Sequence, residues 1–134
     1  RWDYLTILQE GLVDYVMPDV VRCGGISELR RIAALAEPYY VRLSPHDALG
    51  PVSIAAGFQT CMTTPNLYRQ ECVSEWFPEF EKIITPMFDI REGSIWPSDR
   101  PGLGIELVHE EIERYAIDAD DPRALPPWFV GEEG

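Results

Sequence analysis

The chain has 134 residues, enough for one ordinary domain, and its 46% hydrophobic content allows a sizeable core. Its 23 acidic and 11 basic residues leave a formal charge of −12, which repels phosphate backbones and argues against a nucleic-acid partner. No apolar run reaches the length of about 18 residues that a membrane span needs, no signal peptide is visible, and the expected location is cytoplasmic.

In chain order, Trp2 to Gln9 reads as the end of a helix, with Leu5 and Leu8 on one face and Gly11 as its stop. Leu12 to Met17 is a short apolar, β-branched run suited to a buried parallel strand, and it ends at Pro18-Asp19. Gly24-Gly25 makes a turn and Ser27 offers an N-cap. The helix that follows carries Leu29, Ile32, Ala33 and Ala36 at i, i+3, i+4 and i+7, and Pro38 ends it. Tyr40 to Leu43 is a second strand, delivering Ser44-Pro45-His46. Gly50-Pro51 opens a helix that is apolar nearly all round to Met62, with Pro at its favoured first position. Leu67 to Gln70 forms a third strand and delivers Glu71.

The pattern then changes. Met87 to Ile90 and Ser94 to Trp96, separated by Arg91-Glu92-Gly93, predict a hairpin, and Pro101 to Gly104 a turn. Glu110 to Tyr115 is a short helix, and the Pro-rich tail from Asp118 is expected to be extended on the surface. The domain division is therefore 1–84, the β/α part, and 85–134, the hairpin, short helix and tail. Strand, helix, strand, helix, strand is a parallel α/β series. Three strands cannot close a (β/α)₈ barrel, which needs about 250 residues, and their edges and helix faces would lie uncovered. The expectation is the C-terminal part of something longer.

Asp19, His46 and Glu71 stand 27 and 25 residues apart, each just past an apolar run. That interval is about one strand, one helix and two loops, so all three fall at the C-terminal ends of neighbouring parallel strands. Barrel enzymes build their active sites on that rim. Asp19 is either a capping aspartate before the Gly-Gly turn or a carboxylate that orients an imidazole. His46 is either a satisfied structural residue or a general base. Glu71 alone would pass for a surface charge; the phase shared by all three favours a proton-transfer set. Trp76-Phe77 either packs over a site mouth or anchors a loop. His109 and Asp120-Asp121 read as solvated groups, and no nucleophile elbow or phosphate loop is present. Cys23, Cys61 and Cys72 are odd in number and lack C-x-x-C spacing, so they read as reduced or structural thiols.

The segments MPDVVRCGGISELRRIAALAE, LSPHDALGPVSIAA, NLYRQE and PGLGIEL, in that order, resemble the C-terminal half of the enolase superfamily. The mandelate racemase-like branch is nearest, and among it the sugar-acid dehydratases. The resemblance implies an α/β fold made of strands six to eight of a (β/α)₇β TIM-like barrel, with the hairpin and tail returning to a capping domain. It implies that His46, paired with Asp19, moves the proton α to a carboxylate, and that Glu71 hydrogen-bonds the substrate carboxylate. Trp76 joins His46 and Glu71 as an expected substrate contact. It further implies Mg²⁺, held by acidic residues upstream of this chain, a small acid-sugar substrate and a homo-oligomer. Dehydration to a 2-keto-3-deoxy acid is the expected outcome. Racemisation or cycloisomerisation is the alternative, and a non-catalytic role the expectation for the isolated piece.

Overall fold

The computed structural model describes residues 1–114. Helix α1 (Trp2–Gln9) ends at Gly11, whose φ of 64° is one that glycine adopts without strain. Strand β1 (Tyr15–Val16) pairs in parallel with β2 (Arg42–Leu43), Val16 lying opposite Leu43. The pairing runs beyond these two-residue strands. Arg42 N donates to Asp14 O at 3.1 Å, Ser44 N to Val16 O at 2.9 Å and His46 N to Pro18 O at 3.3 Å. Every second residue thus continues one parallel ladder up to the two predicted strand ends.

The expected third strand is reduced to a single parallel bridge between Leu67 and Leu43. Leu43 N bonds Asn66 O, Tyr68 N bonds Leu43 O and Glu71 N bonds Pro45 O, so the backbone still runs alongside β2 as far as Glu71. Pro45 breaks the regular ladder here, because it brings no N–H to donate.

Between β1 and β2 lie α2 (Val20–Cys23) and α3 (Ile26–Ala36). The first was not foreseen: Asp19 caps it and Gly24, at φ 110°, closes it, so the Gly-Gly turn hides a four-residue helix. Gly25, rather than Ser27, occupies the N-cap of α3. The predicted stripe of Leu29, Ile32, Ala33 and Ala36 is buried and packs with Leu8, Val16, Val20, Val41 and Leu43 into one core. Helix α4 (Pro51–Cys61) follows β2, with Pro in its first turn and seven of its eleven residues buried. The opposite face of the parallel pair is bare: Tyr15, Met17 and Tyr68 are exposed, and the two tyrosine rings meet at a tilt of 50° with centroids 4.7 Å apart.

A 3-10 turn at Ser74–Trp76 leads into α5 (Phe77–Ile83), an element absent from the predicted series. Pro78 looks like a breaker but sits in the first turn, where a missing N–H costs nothing. Strand β3 (Ile84–Thr85) pairs antiparallel with β6 (Glu106–Leu107), a long-range pairing that no local pattern announces. The hairpin is present, but its arms are β4 (Asp89–Arg91) and β5 (Ser94–Trp96). A two-residue loop at Glu92 (φ 51°) and Gly93 (φ 74°) pairs Arg91 with Ser94, which moves the first arm toward the turn. Helix α6 (His109–Arg114) begins on His109, one residue before the predicted start at Glu110. The tail from Asp118, Asp120-Asp121 and the predicted helix end at Tyr115 lie outside the described residues. No helix among the described residues is long and apolar enough to cross a membrane.

Candidate active site

Parallel pairing brings the predicted residues together. Asp19 and His46 form a parallel bridge at the ends of β1 and β2, so their side chains emerge side by side. Asp19 is buried and uses each oxygen differently. Oδ1 accepts from Val21 N at 2.8 Å and, more loosely, from Arg22 N at 3.4 Å, capping α2. Oδ2 lies 3.0 Å from His46 Nδ1. The capping and orienting readings of this residue are therefore both realised, one per oxygen.

A carboxylate only accepts, so the Asp19 contact places the hydrogen on Nδ1 and leaves Nε2 as the nitrogen that can exchange a proton. Nε2 faces Glu71 Oε2 at 3.6 Å. The His46 and Glu71 side chains are 41% and 40% exposed, open enough to reach a small molecule, whereas the Asp19 side chain at 5% is not. The imidazole is thus held between a buried acid and an open one. A cavity of about 420 Å³ opens against Asp19 and His46, bounded by Tyr4, Met17 and Arg22. Glu71 does not line it; it meets the opposite edge of the ring. A larger, mostly apolar groove of about 820 Å³ between α2, α4 and α6 includes none of the three.

Two residues that the sequence reading passed over support this set. Asp47 is almost fully buried, its backbone N–H donating to Glu71 Oε2 at 3.0 Å. Gln70 Nε2 donates to Asp47 Oδ2 at 2.9 Å and to Ile54 O of α4 at 3.0 Å. Burial pushes the Asp47 carboxyl up to about 6, against the opposing pull of Ser53 and Gln70 and with a further push from Asp19. Ser53 Oγ neighbours this carboxyl outside strict hydrogen-bond geometry, so it and Asp47 Oδ1 are buried without a partner. Burial likewise raises Cys61 to about 12 and Cys72 to about 11, with the Asp47 charge adding to both. The adjacency of His46-Asp47 and Gln70-Glu71, together with a glycine at position 57 inside a helix, was the available signal.

Trp76 ends the 3-10 turn and meets Phe80 edge-on, with ring centroids 6.4 Å apart. Its anchoring role is seen directly; no described contact joins it to His46 or Glu71. Among the described residues no group of three or more His, Cys, Asp or Glu side chains could hold a metal ion. The described residues therefore do not fit a Mg²⁺ site.

A parallel α/β unit with two acids flanking a histidine at its strand ends is the class that this fold and site define. Residues 1–112 match the family described as enolase C-terminal domain-like, and the chain belongs to that family. A D-galactonate dehydratase family member of Streptomyces bingchenggensis is 40% identical over 127 residues, covering 93% of this chain and 30% of that protein. A D-gluconate dehydratase of Thermoproteus tenax is 35% identical over 130 residues, covering 96% of this chain and 25% of that protein. The solved structure of a mandelate racemase/muconate lactonizing enzyme-like protein from Rubrobacter xylanophilus matches with a TM-score of 0.80 at 35% identity. That match covers 91% of this chain and 31% of the other. The chain spans about a quarter to a third of the length of these proteins.

Proposed function

We propose that this chain supplies the acid–base portion of an enolase-superfamily acid-sugar dehydratase, acting within a longer protein. The observation that carries the reading is the alignment of Asp19 Oδ2, both His46 ring nitrogens and Glu71 Oε2, at 3.0 and 3.6 Å. Relatives named as galactonate and gluconate dehydratases support the reaction and substrate class.

Residues 1–84 would contribute strands six to eight of a (β/α)₇β barrel, and residues 85–134 would run back toward a capping domain. The bare Tyr15–Met17–Tyr68 face supports this, since inward-facing barrel positions are covered only when the other strands are present. In the reaction, His46 Nε2 takes the proton α to the substrate carboxylate while Asp19 steadies the ring. Glu71, carrying a proton, donates a hydrogen bond to that carboxylate as charge builds on it. The β-hydroxyl then takes the abstracted proton from the His46 imidazolium and leaves as water, and the enol so formed tautomerises to a 2-keto-3-deoxy acid. Trp76 flanks the substrate from its Phe80 anchor. The Mg²⁺ implied by the resemblance would be held by residues outside this chain, and none of these steps is routed through it. A cytoplasmic homo-oligomer is the proposed setting.

Replacing His46 with Asn in the full-length enzyme tests this, with keto-acid release from a panel of acid sugars as the assay. Loss of roughly 10²- to 10⁴-fold in turnover is expected, and turnover within a factor of a few of wild type would remove His46 from the mechanism. The likeness to a mandelate racemase/muconate lactonizing enzyme-like protein favours a second reading, racemisation or cycloisomerisation on the same pair. The same panel separates the two, because only dehydration releases a keto acid. The isolated 134-residue chain should turn over nothing.

A further inference from the structure

Asp47 and Gln70 each follow or precede a member of the His46–Glu71 pair, and their side chains turn away from it into the protein. Asp47 is 1% exposed. Its Oδ2 accepts from Gln70 Nε2 at 2.9 Å, and the same amide donates to Ile54 O on α4 at 3.0 Å. Gly57 stands on α4 at this contact: a Cβ there would lie 2.8 Å from Gln70 Nε2 and 3.5 Å from Asp47 Oδ2. A glycine inside a helix weakens it, so its presence has a steric reason: the bare Cα makes room for the amide. On the other side, the Asp47 backbone N–H donates to Glu71 Oε2 at 3.0 Å, the same oxygen that faces His46 Nε2.

We propose that Asp47 and Gln70 are a positioning pair, anchored on α4, which holds the Asp47 N–H on Glu71 Oε2 and so sets how Glu71 meets His46. Neither side chain touches the space in front of His46; both act through Glu71. A buried carboxyl with one oxygen unpaired is a poor choice for stability alone. An apolar residue at position 47 would fill the volume but would leave the Gln70 amide unpaired and the N–H unanchored. The consequence for catalysis rests on the reading of His46 and Glu71 given above; the geometric part does not.

The geometric part is tested on the full-length protein by amide hydrogen exchange, using Gln70→Ala, Gly57→Ala and Asp47→Asn. Gly57→Ala displaces the Gln70 amide without altering either member of the pair. In it and in Gln70→Ala, exchange at position 47 should quicken by about 10-fold or more, while the ladder amide of Leu43 holds within about 2-fold. Asp47→Asn keeps an acceptor for Gln70 and should retain the protection. In the full-length enzyme, Gln70→Ala and Asp47→Ala should lower kcat by about 10- to 100-fold with KM nearly unchanged, and Asp47→Asn should restore it to within about 3-fold. Unaltered protection at position 47 in Gln70→Ala overturns the pairing, as does an Asp47→Asn enzyme as impaired as Asp47→Ala. A wild-type enzyme inactive on every acid sugar would sink the functional reading instead, and the exchange result would still decide the positioning.

Discussion

Asp47→Asn should stabilise the folded chain at neutral pH, and the size of the gain follows from its burial. The carboxyl moves from an ordinary value of 3.8 to about 6 on folding, chiefly by loss of solvent. A gap of about two pH units, at about 1.36 kcal/mol each, makes the charged form of Asp47 a burden of up to about 3 kcal/mol on the native state. The sign follows from proton binding. The native carboxyl holds its proton to higher pH than the unfolded one does. Its favourable contribution is therefore complete below about pH 4 and is lost as pH rises through about 6. Asparagine stays neutral throughout, offers Gln70 an acceptor, and turns a donor toward the unpartnered Ser53 Oγ. Urea unfolding followed by tryptophan fluorescence at pH 4.5, 6 and 8 measures the difference between variant and wild type. Carboxylates shared by both chains cancel in it. The variant should gain little at pH 4.5 and most at pH 8. A variant less stable than wild type at pH 8, or a difference that ignores pH, would refute the reasoning.

Asp19 separates two functions by oxygen. Asp19→Asn keeps the cap on α2 and should change stability by less than about 0.5 kcal/mol, whereas Asp19→Ala should lose about 1 kcal/mol; urea midpoints decide. In the full-length enzyme both should be severely impaired, Asn by as much as ~10⁴ in turnover, the cost of misorienting a histidine in a comparable carboxylate–imidazole system. Glu92→Asn places a residue tolerant of positive φ before Gly93 and should raise stability by about 0.5 kcal/mol, read as a higher melting temperature. Iodoacetamide at pH 8 should label Cys61 and Cys72 at least ~10-fold more slowly than a free thiol, since burial holds both largely as thiols. Rapid labelling of Cys61, the more deeply buried, would contradict that.

Much of the first 71 residues was legible because local signals and the fold agree there. The i, i+3, i+4, i+7 stripe of α3 became its buried face, and Gly50-Pro51 opened α4 as read. Even spacing of Asp19, His46 and Glu71 foretold their meeting, because parallel strands advance in phase when each is followed by a helix of similar length. The later segment was less legible. Pro78 disguised α5, and the β3–β6 pairing joins residues too far apart for any local pattern to report.

The order of apolar runs and turn residues was enough by itself to set the α/β alternation and to nominate the histidine and its two acids. Such choices are governed by backbone propensity and by the period of side-chain burial, both written along the chain. Tertiary structure alone decided that one Asp19 oxygen caps a helix while the other holds His46. It alone buried Asp47 against Gln70 and Gly57. Desolvation and hydrogen-bond geometry depend on neighbours brought in from distant segments, and no reading along one dimension contains them.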